Sequence, residues 1–324
     1  MLQSCAPEAA LDAQEPLDSP DASPRQGKHT IMKVTSFGEV LWDDLPTGKL
    51  LGGAPLNVLV RLRSLGSECS IISARGNDAN GTELLSQIEA RDVDTSLLQV
   101  CPDQPTSLVK VTLNQQGSAS YDIVYPCAWD RIQVDPAALQ RVRESDAFLF
   151  GSLCTRDEVS RKTLEQLLPA ARFRVFDVNL RKPHYKPERV LELMKQAHLV
   201  KLNDDELYEL ASFAGSKYRG TDQNIRFLTE YTGVRQICVT LGSHGAVYVD
   251  HGKFYYSTGY RIDVVDTIGA GDSFLAGLLY KLLNRIPPQE SLNFACALGA
   301  MVASRRGPTP EISAREIDQF MHPV

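Results

Sequence analysis

The chain has 324 residues, enough for one large α/β domain with a small appended unit. Its 43% hydrophobic and 23% charged residues are ordinary for a globular protein, and a net charge of −6 argues against nucleic acid or a membrane surface as partner, since both want a basic face. Seven cysteines, odd in number and without a CxxC spacing, argue against a disulfide framework or a zinc site and point to a reducing, cytoplasmic compartment.

Residues 1–30 are rich in Ala, Pro, Asp, Ser and Gln and contain no aromatic residue. Such a segment buries too little apolar surface to offset its ordering entropy, so a disordered tail is expected there and a single domain over 31–324. The tail lacks the basic and apolar stretches of a signal peptide, and no apolar run in the chain reaches the length of a membrane span.

From Lys33 onwards, apolar runs alternate with amphipathic stretches. Strands are expected at Lys33–Glu39, Cys69–Ala74, Ala147–Phe150, Arg174–Val178, Leu199–Leu202 and Gln236–Leu241. Their Val, Ile and Phe content without strict alternation suits parallel strands buried on both faces. Helices are expected between them at Pro55–Leu65, Gly81–Arg91, Arg156–Ala171, Pro187–Ala197 and Asp204–Phe213. This alternation implies an α/β fold, a mostly parallel sheet covered by helices on both sides.

Leu108–Leu113 and Ser118–Val124 flank the turn-forming Asn114-Gln115-Gln116-Gly117, which is a hairpin signal. The hairpin reads either as a lid outside the core sheet or as an antiparallel edge of that sheet. Towards the C-terminus, Gly269–Leu283 carries apolar residues at helical spacing. Leu292–Ala303 is rich in small residues, among them Ala295, Ala297, Gly299 and Ala300. Small residues allow close approach by a neighbouring helix or by a flat ligand, and the pattern alone leaves both readings open.

The segment Asp266-Thr267-Ile268-Gly269-Ala270-Gly271-Asp272 opens the first of these helices. Glycines at a helix start admit a ligand close to the backbone, and the first helical N–H groups carry partial positive charge without intrahelical partners. The turn is therefore an anion site suited to phosphate. Asp272 beside it reads either as a partner of the helix dipole or as a base that takes a proton from an attacking hydroxyl.

This string matches the DTxGAGD signature of the ribokinase-like (PfkB) carbohydrate kinases, and other segments add to the resemblance. Gly52-Gly53-Ala54-Pro55-Leu56-Asn57 resembles the family's sugar-binding turn. Asn203-Asp204-Asp205-Glu206 resembles its NxxE motif, and Val239–Ala246 its nucleotide-binding strand and turn. The resemblance covers roughly residues 33–310 and implies a Rossmann-like three-layer α/β/α domain with a small β-lid, over about 43–52 and 104–131. It implies Asp272 as catalytic base, and Gly269, Ala270 and Gly271 as the anion hole for the γ-phosphate of ATP. It implies Asn203 and Glu206 as organisers of Mg2+, Glu206 acting through water. Thr240, Gly242, Gly245, Asn293 and Ala297 are implied at the nucleotide, and Asp266 at a K+ site.

For the sugar, the resemblance implies Asp43, Gly53 and Asn57 as contacts. Gly38-Glu39-Val40-Leu41-Trp42-Asp43, Ala128-Trp129-Asp130 and Asp177-Val178-Asn179-Leu180-Arg181 look most like the fructokinase branch. Trp129 reads as a stacking surface for a sugar or as packing. Arg181 reads as a contact to a phosphate or substrate carboxylate, or as a surface residue. Fructose is the expected substrate, converted to fructose 6-phosphate. Ribose, a nucleoside or 2-keto-3-deoxygluconate are the alternatives, with a catalytically silent sugar-binding scaffold as the reading from another class. Relatives that dimerise through the lid imply a homodimer of that kind.

Overall fold

The computed structural model describes residues 31–45, 48–113 and 119–323; the expected tail lies outside them. The strands are β1 (Lys33–Phe37), β2 (Leu41–Leu45), β3 (Gly48–Gly52), β4 (Glu68–Gly76), β5 (Leu98–Cys101), β6 (Ser107–Leu113), β7 (Ala119–Ile123), β8 (Ala147–Gly151), β9 (Arg174–Asp177), β10 (Leu199–Asn203), β11 (Gln236–Thr240), β12 (Ala246–Asp250) and β13 (Lys253–Ser257). The helices are α1 (Ala54–Ser64), α2 (Ala79–Glu89), α3 (Pro136–Glu144), α4 (Glu158–Leu167), α5 (Pro187–Gln196), α6 (Asp204–Phe213), α7 (Thr221–Thr232), α8 (Ala270–Leu283), α9 (Pro288–Ala303) and α10 (Ala314–Met321).

Among the described residues, nine strands form one sheet in the order β13-β12-β11-β10-β9-β8-β1-β4-β5. The pairings from β11 to β5 are parallel, and β12 and β13 add an antiparallel edge. Each of the six expected strands forms, with ends within two residues. The period-two pleat explains how their continuous apolar runs are used. In β8, Phe148 and Phe150 join the core on one face, with residues of α3 to α7, while Ala147 and Leu149 join the core on the other, with α1, α2, α8 and α9. The result is the three-layer α/β/α arrangement that the alternation implied.

β2, β3, β6 and β7 form a separate four-stranded sheet in the order β3-β2-β6-β7. The hairpin β6–β7 is therefore not an edge of the main sheet. β2 pairs with β3 and β6, bringing Asp43 opposite Leu50 and Val109. Residues 128–131, at the end of the expected lid, form a one-turn helix whose Ala128 and Trp129 share a core cluster with Val109 and Ile123 of the smaller sheet and with Phe148 and Phe150 of β8.

Candidate active site

In an open parallel sheet the chain leaves each strand at its carboxyl end, and the loops gathered there hold ligands. Here those ends carry Glu39 after β1, Asp177 at the end of β9, Arg181 beyond it and Asn203 closing β10. The start of α8 faces the same group. Gly269 precedes α8 in the left-handed conformation, with φ 74°, which a Cβ would strain. No side chain caps α8, so its first turn presents backbone N–H groups and the positive end of the dipole. A Cβ on Gly271 would stand 3.3 Å from Lys201 Nζ, so that ammonium lies directly behind the turn.

Asp272, in the first turn of α8, accepts a hydrogen bond from Asn57 Nδ2 at 2.8 Å. Asn57 is held by α1, which Pro55 opens after Gly53 at φ 110°. α1 is fixed to α8 by the buried Arg61, whose Nε donates to Ser273 Oγ at 3.2 Å and whose Nη2 donates to the Pro310 carbonyl at 2.8 Å. Burial pushes the Asp272 carboxyl up to about 6, helped by the nearby Asp177 charge and opposed by Lys201, Asn57 and Arg181.

Three further charged groups crowd this centre. Burial raises Asp43 to about 6, against the pull of Arg181 and with repulsion from Asp272. Burial raises Glu39 to about 7; Arg181 pulls it down, and Asp272 and Asp177 push it up. Glu39 is 3% exposed, and its Oε2 has no hydrogen-bond partner among the described residues. Arg181, half-buried, stands close enough to Glu39, Asp43 and Asp272 to pull the pKa of each down. Its Nη1 also donates to the Leu180 carbonyl at 3.0 Å.

Lys201 and Asp177 form a buried ion pair at 3.0 Å across adjacent strands, where the two residues are in register. Burial works against the Lys201 charge, yet Asp177, Glu206 and Asp272 hold its pKa above the ordinary value. Glu39, Asp177 and Lys201 are site residues to which no expectation from the sequence attached a role. The available signal for Lys201 was one cation inside the apolar run Leu199-Val200-Lys201-Leu202.

Glu206 and Asn203 start α6 as a capping box. Glu206 N–H donates to Asn203 Oδ1 at 2.8 Å, and Asn203 N–H donates to Glu206 Oε2 at 2.9 Å. Glu206 Oε1 also accepts from Leu180 N–H at 2.7 Å, and burial raises its pKa. Asp266 likewise spans two loops, accepting from Ile268 N–H and Gly307 N–H at 3.0 Å each. Each of these oxygens keeps a lone pair.

On the other flank, Thr240 ends β11 and Gly242 adopts φ 57° with open space around its Cα. Gly245, at φ 87°, lies so close to the backbone of Ser257 and Gly259 that a Cβ would collide with it, so this glycine serves packing of the β12–β13 edge. Asn293 is half-buried and accepts from Gln289 Nε2 at 3.1 Å.

Two expectations fail on burial. Trp129 is fully buried, with the Arg156 guanidinium 4.0 Å from its ring centre, and so offers no face to a sugar. Ala297 is fully buried as well and offers a nucleotide no surface. The small residues of α9 instead serve helix packing. A Cβ on Gly277 of α8 would meet Ala295 Cα at 3.3 Å, and one on Gly299 would meet Phe274 Cβ at 3.3 Å.

Comparison with known proteins places most of the chain. The chain is 30% identical to an aminoimidazole riboside kinase of Salmonella typhimurium over 296 residues, covering 85% of this chain and 90% of that protein. It is 28% identical to probable fructokinase-2 of Arabidopsis thaliana, covering 86% and 92%. Among solved structures, Salmonella enterica aminoimidazole riboside kinase, complexed with aminoimidazole riboside and an ATP analog, superposes with a TM-score of 0.75 at 26% identity, covering 89% of this chain and 99% of that one. A Vibrio cholerae fructokinase double mutant, bound to fructose, ADP and potassium ion, shares the fold at 21% identity with a TM-score of 0.79, covering 91% and 100%. No helix among the described residues is long and apolar enough to cross a membrane. A family profile described as pfkB family carbohydrate kinase matches residues 33–315, and the chain belongs to that family of phosphotransferases acting on sugar hydroxyls.

Proposed function

We propose that this sugar kinase transfers the γ-phosphate of ATP to a hydroxyl of fructose, with Asp272 as the base. The observation that carries the base assignment is the Asp272 carboxylate, held by Asn57 at 2.8 Å in the first turn of the uncapped helix α8. A carboxyl near pKa 6 is ionised at neutral pH and still a competent proton acceptor. Phosphoryl transfer asks chiefly for positioning and charge stabilisation, and a modest base suffices. In this reading the backbone of Gly269, Ala270 and Gly271 receives the transferring phosphate. Asp43, Gly53, Asn57 and Arg181 hold the sugar, and Thr240, Gly242 and Asn293 border the nucleotide.

No cluster of three or more His, Cys, Asp or Glu among the described residues forms a direct metal cage, and Glu206 already serves two backbone N–H groups. That donor set suits Mg2+ held through its own waters by Asn203 and Glu206, where the ion would neutralise phosphate charge. Asp266 is assigned to K+ on its remaining lone pairs. The separate sheet of β2, β3, β6 and β7 is read as the lid, and as the surface of a homodimer. The free cysteines among the described residues suit the cytoplasm.

Fructose is favoured by relatives named fructokinase and by the segment Gly38–Asp43. The second reading, a riboside such as aminoimidazole riboside, is favoured by the 30% identical relative. ADP release should be measured across fructose, ribose, aminoimidazole riboside and 2-keto-3-deoxygluconate, for the native chain and Asp272→Asn. The highest kcat/KM is expected with fructose, and the Asn variant should lose turnover by about 10²–10⁴-fold while keeping sugar binding. Near-normal turnover by Asp272→Asn would remove the base assignment; preference for a riboside would replace fructose; and no ADP release with any sugar would favour a sugar-binding scaffold.

A further inference from the structure

A cavity of about 300 Å³ is joined to the site just described by one turn, in which His184 of its lining donates to the Arg181 carbonyl. Its walls include Tyr125, Arg156, His184, Tyr185, Lys186 and Arg189, and its described lining contains no acidic side chain. The first turn of α5 contributes Arg189 and Val190, and no side chain caps that helix. Its N-terminal dipole therefore adds to the positive side chains around the space.

The Arg156 side chain is 3% exposed. Asp130 takes its Nε at 2.7 Å and its Nη2 at 2.8 Å, but Nη1 is buried without a partner among the described residues. Nη1 is thus shut away from the open cavity, and the cations that an anion seated there would meet are Lys186 and Arg189. Arg189 spends Nη1 on the Thr155 carbonyl at 2.7 Å, which fixes its guanidinium at the cavity wall, and Lys186 is exposed at the mouth. Acids behind this wall offset part of its charge: Asp130 holds Arg156, Asp157 accepts from the Tyr125 hydroxyl at 3.0 Å, Glu209 accepts from the Tyr185 hydroxyl, and Glu188 stands in the first turn of α5, while Lys186 and Arg189 form no ion pair among the described residues.

We propose that this cavity binds a phosphoryl-type anion, either inorganic phosphate or the phosphate monoester of a small sugar. A volume near 300 Å³ is at the small end of ligand pockets and suits either. The location ties the anion to the catalytic region. His184 N–H donates to the Arg181 carbonyl at 2.7 Å, closing a turn. One end of that turn lines this cavity, and the other carries the guanidinium that acts on Glu39, Asp43 and Asp272.

The test is calorimetric titration of the full chain with inorganic phosphate and, separately, with fructose 6-phosphate and ribose 5-phosphate. Saturating non-hydrolysable ATP analogue and fructose block the catalytic centre throughout. A saturable event is expected to persist under the block and to weaken about tenfold or more in Lys186→Gln/Arg189→Gln, with Lys186→Arg/Arg189→Lys retaining it. Tighter binding of a monoester than of inorganic phosphate identifies a sugar phosphate as the ligand; equal binding identifies phosphate itself. Loss of the event under the block, or equal affinity in native chain and Gln variant, overturns the proposal. Should the double variant fold poorly, Lys186→Glu at the exposed mouth is expected to weaken binding by the same order, and unchanged affinity there also overturns it.

Discussion

Asn57 and Asp272 are 215 positions apart in the chain, yet the Asn57 amide donates to the Asp272 carboxylate at 2.8 Å and ties the start of α1 to the start of α8. The bond also favours the ionised acid. A hydrogen bond to a charged group contributes about 1.5–3 kcal/mol, so Asn57→Ala should cost about tenfold or more in kcat/KM. Asn57 pulls the Asp272 pKa down, so its loss raises that pKa and moves the acid limb of the rate profile to higher pH. The deficit should be larger at pH 6 than at pH 8, and a pH-independent deficit would leave Asn57 with a sugar contact alone.

Lys201 stands in a buried pair with Asp177 and behind Gly271. Lys201→Met leaves Asp177 charged and unpaired, which typically costs about 3–5 kcal/mol in unfolding free energy. The companion change Asp177→Asn should recover part of that stability in urea melts. Lys201 also holds the Asp272 pKa down, so turnover in Lys201→Met alone should need a higher pH; in the double variant the larger upward push of Asp177 is gone as well, and the acid limb should return to the native position or below it.

Gly271→Ala separates packing from phosphate access. The added methyl would meet only the far end of Lys201, a flexible side chain, so the melting temperature should change little. The same methyl stands in the turn proposed to receive phosphate. Apparent KM for ATP should rise and kcat should fall, by about 10²-fold together in kcat/KM for a disturbed anion hole. A variant with native kinetics would move the phosphate away from this turn.

Glu39 makes stability depend on pH. Its carboxyl is raised from 4.5 to about 7 in the folded chain, so folding favours its protonated form. Below the unfolded pKa both states are protonated and there is no penalty. As pH rises from about 4.5 through about 7 the folded state falls behind, reaching a deficit of about 3 kcal/mol. Glu39→Gln keeps the shape and removes the charge. It should stabilise the chain at pH 8 by up to this amount and have little effect at pH 4, read by denaturant unfolding at both values.

The layer order and the uncapped glycine turn at the start of α8 were legible because each rests on local pattern. Apolar runs marked strands such as β8, amphipathic spacing marked helices such as α6, and the glycines before Asp272 marked a phosphate-shaped turn. What stayed hidden depends on partners distant in sequence. Trp129 follows a hairpin and reads equally as ligand surface or filler; its burial is decided by Arg156, 27 positions on, covering its ring. The small residues of α9 suited an adenine as well as a helix until Gly277 of α8 proved to be their neighbour. Lys201 gains its role from strand register with Asp177, which no single segment encodes. The β12–β13 edge was less legible: β12 carries the buried run Ala246–Val249, but it follows β11 after a short turn with no α-helix between, and β13 is only partly buried.

The two chain crossings from the main body into the smaller sheet through β2 and β3 are brief. Three residues, Gly38 to Val40, join β1 to β2, and Gly53 alone joins β3 to α1. Both glycines sit at positive φ, 146° and 110°, conformations closed to other residues at low cost. The pair defines an axle, with Glu39 on it and Asn57 one helical turn beyond. Asp43 stands four residues out along β2, a lever arm of about 13 Å at the usual strand rise. Tilting the smaller sheet by about 10° would swing that carboxylate through about 2 Å while leaving Glu39 and the Asn57–Asp272 bond nearly still. In the proposed reading, with Asp43 holding the sugar and Asp272 as the base, such a tilt would change the grip on the acceptor without disturbing the aim of the base.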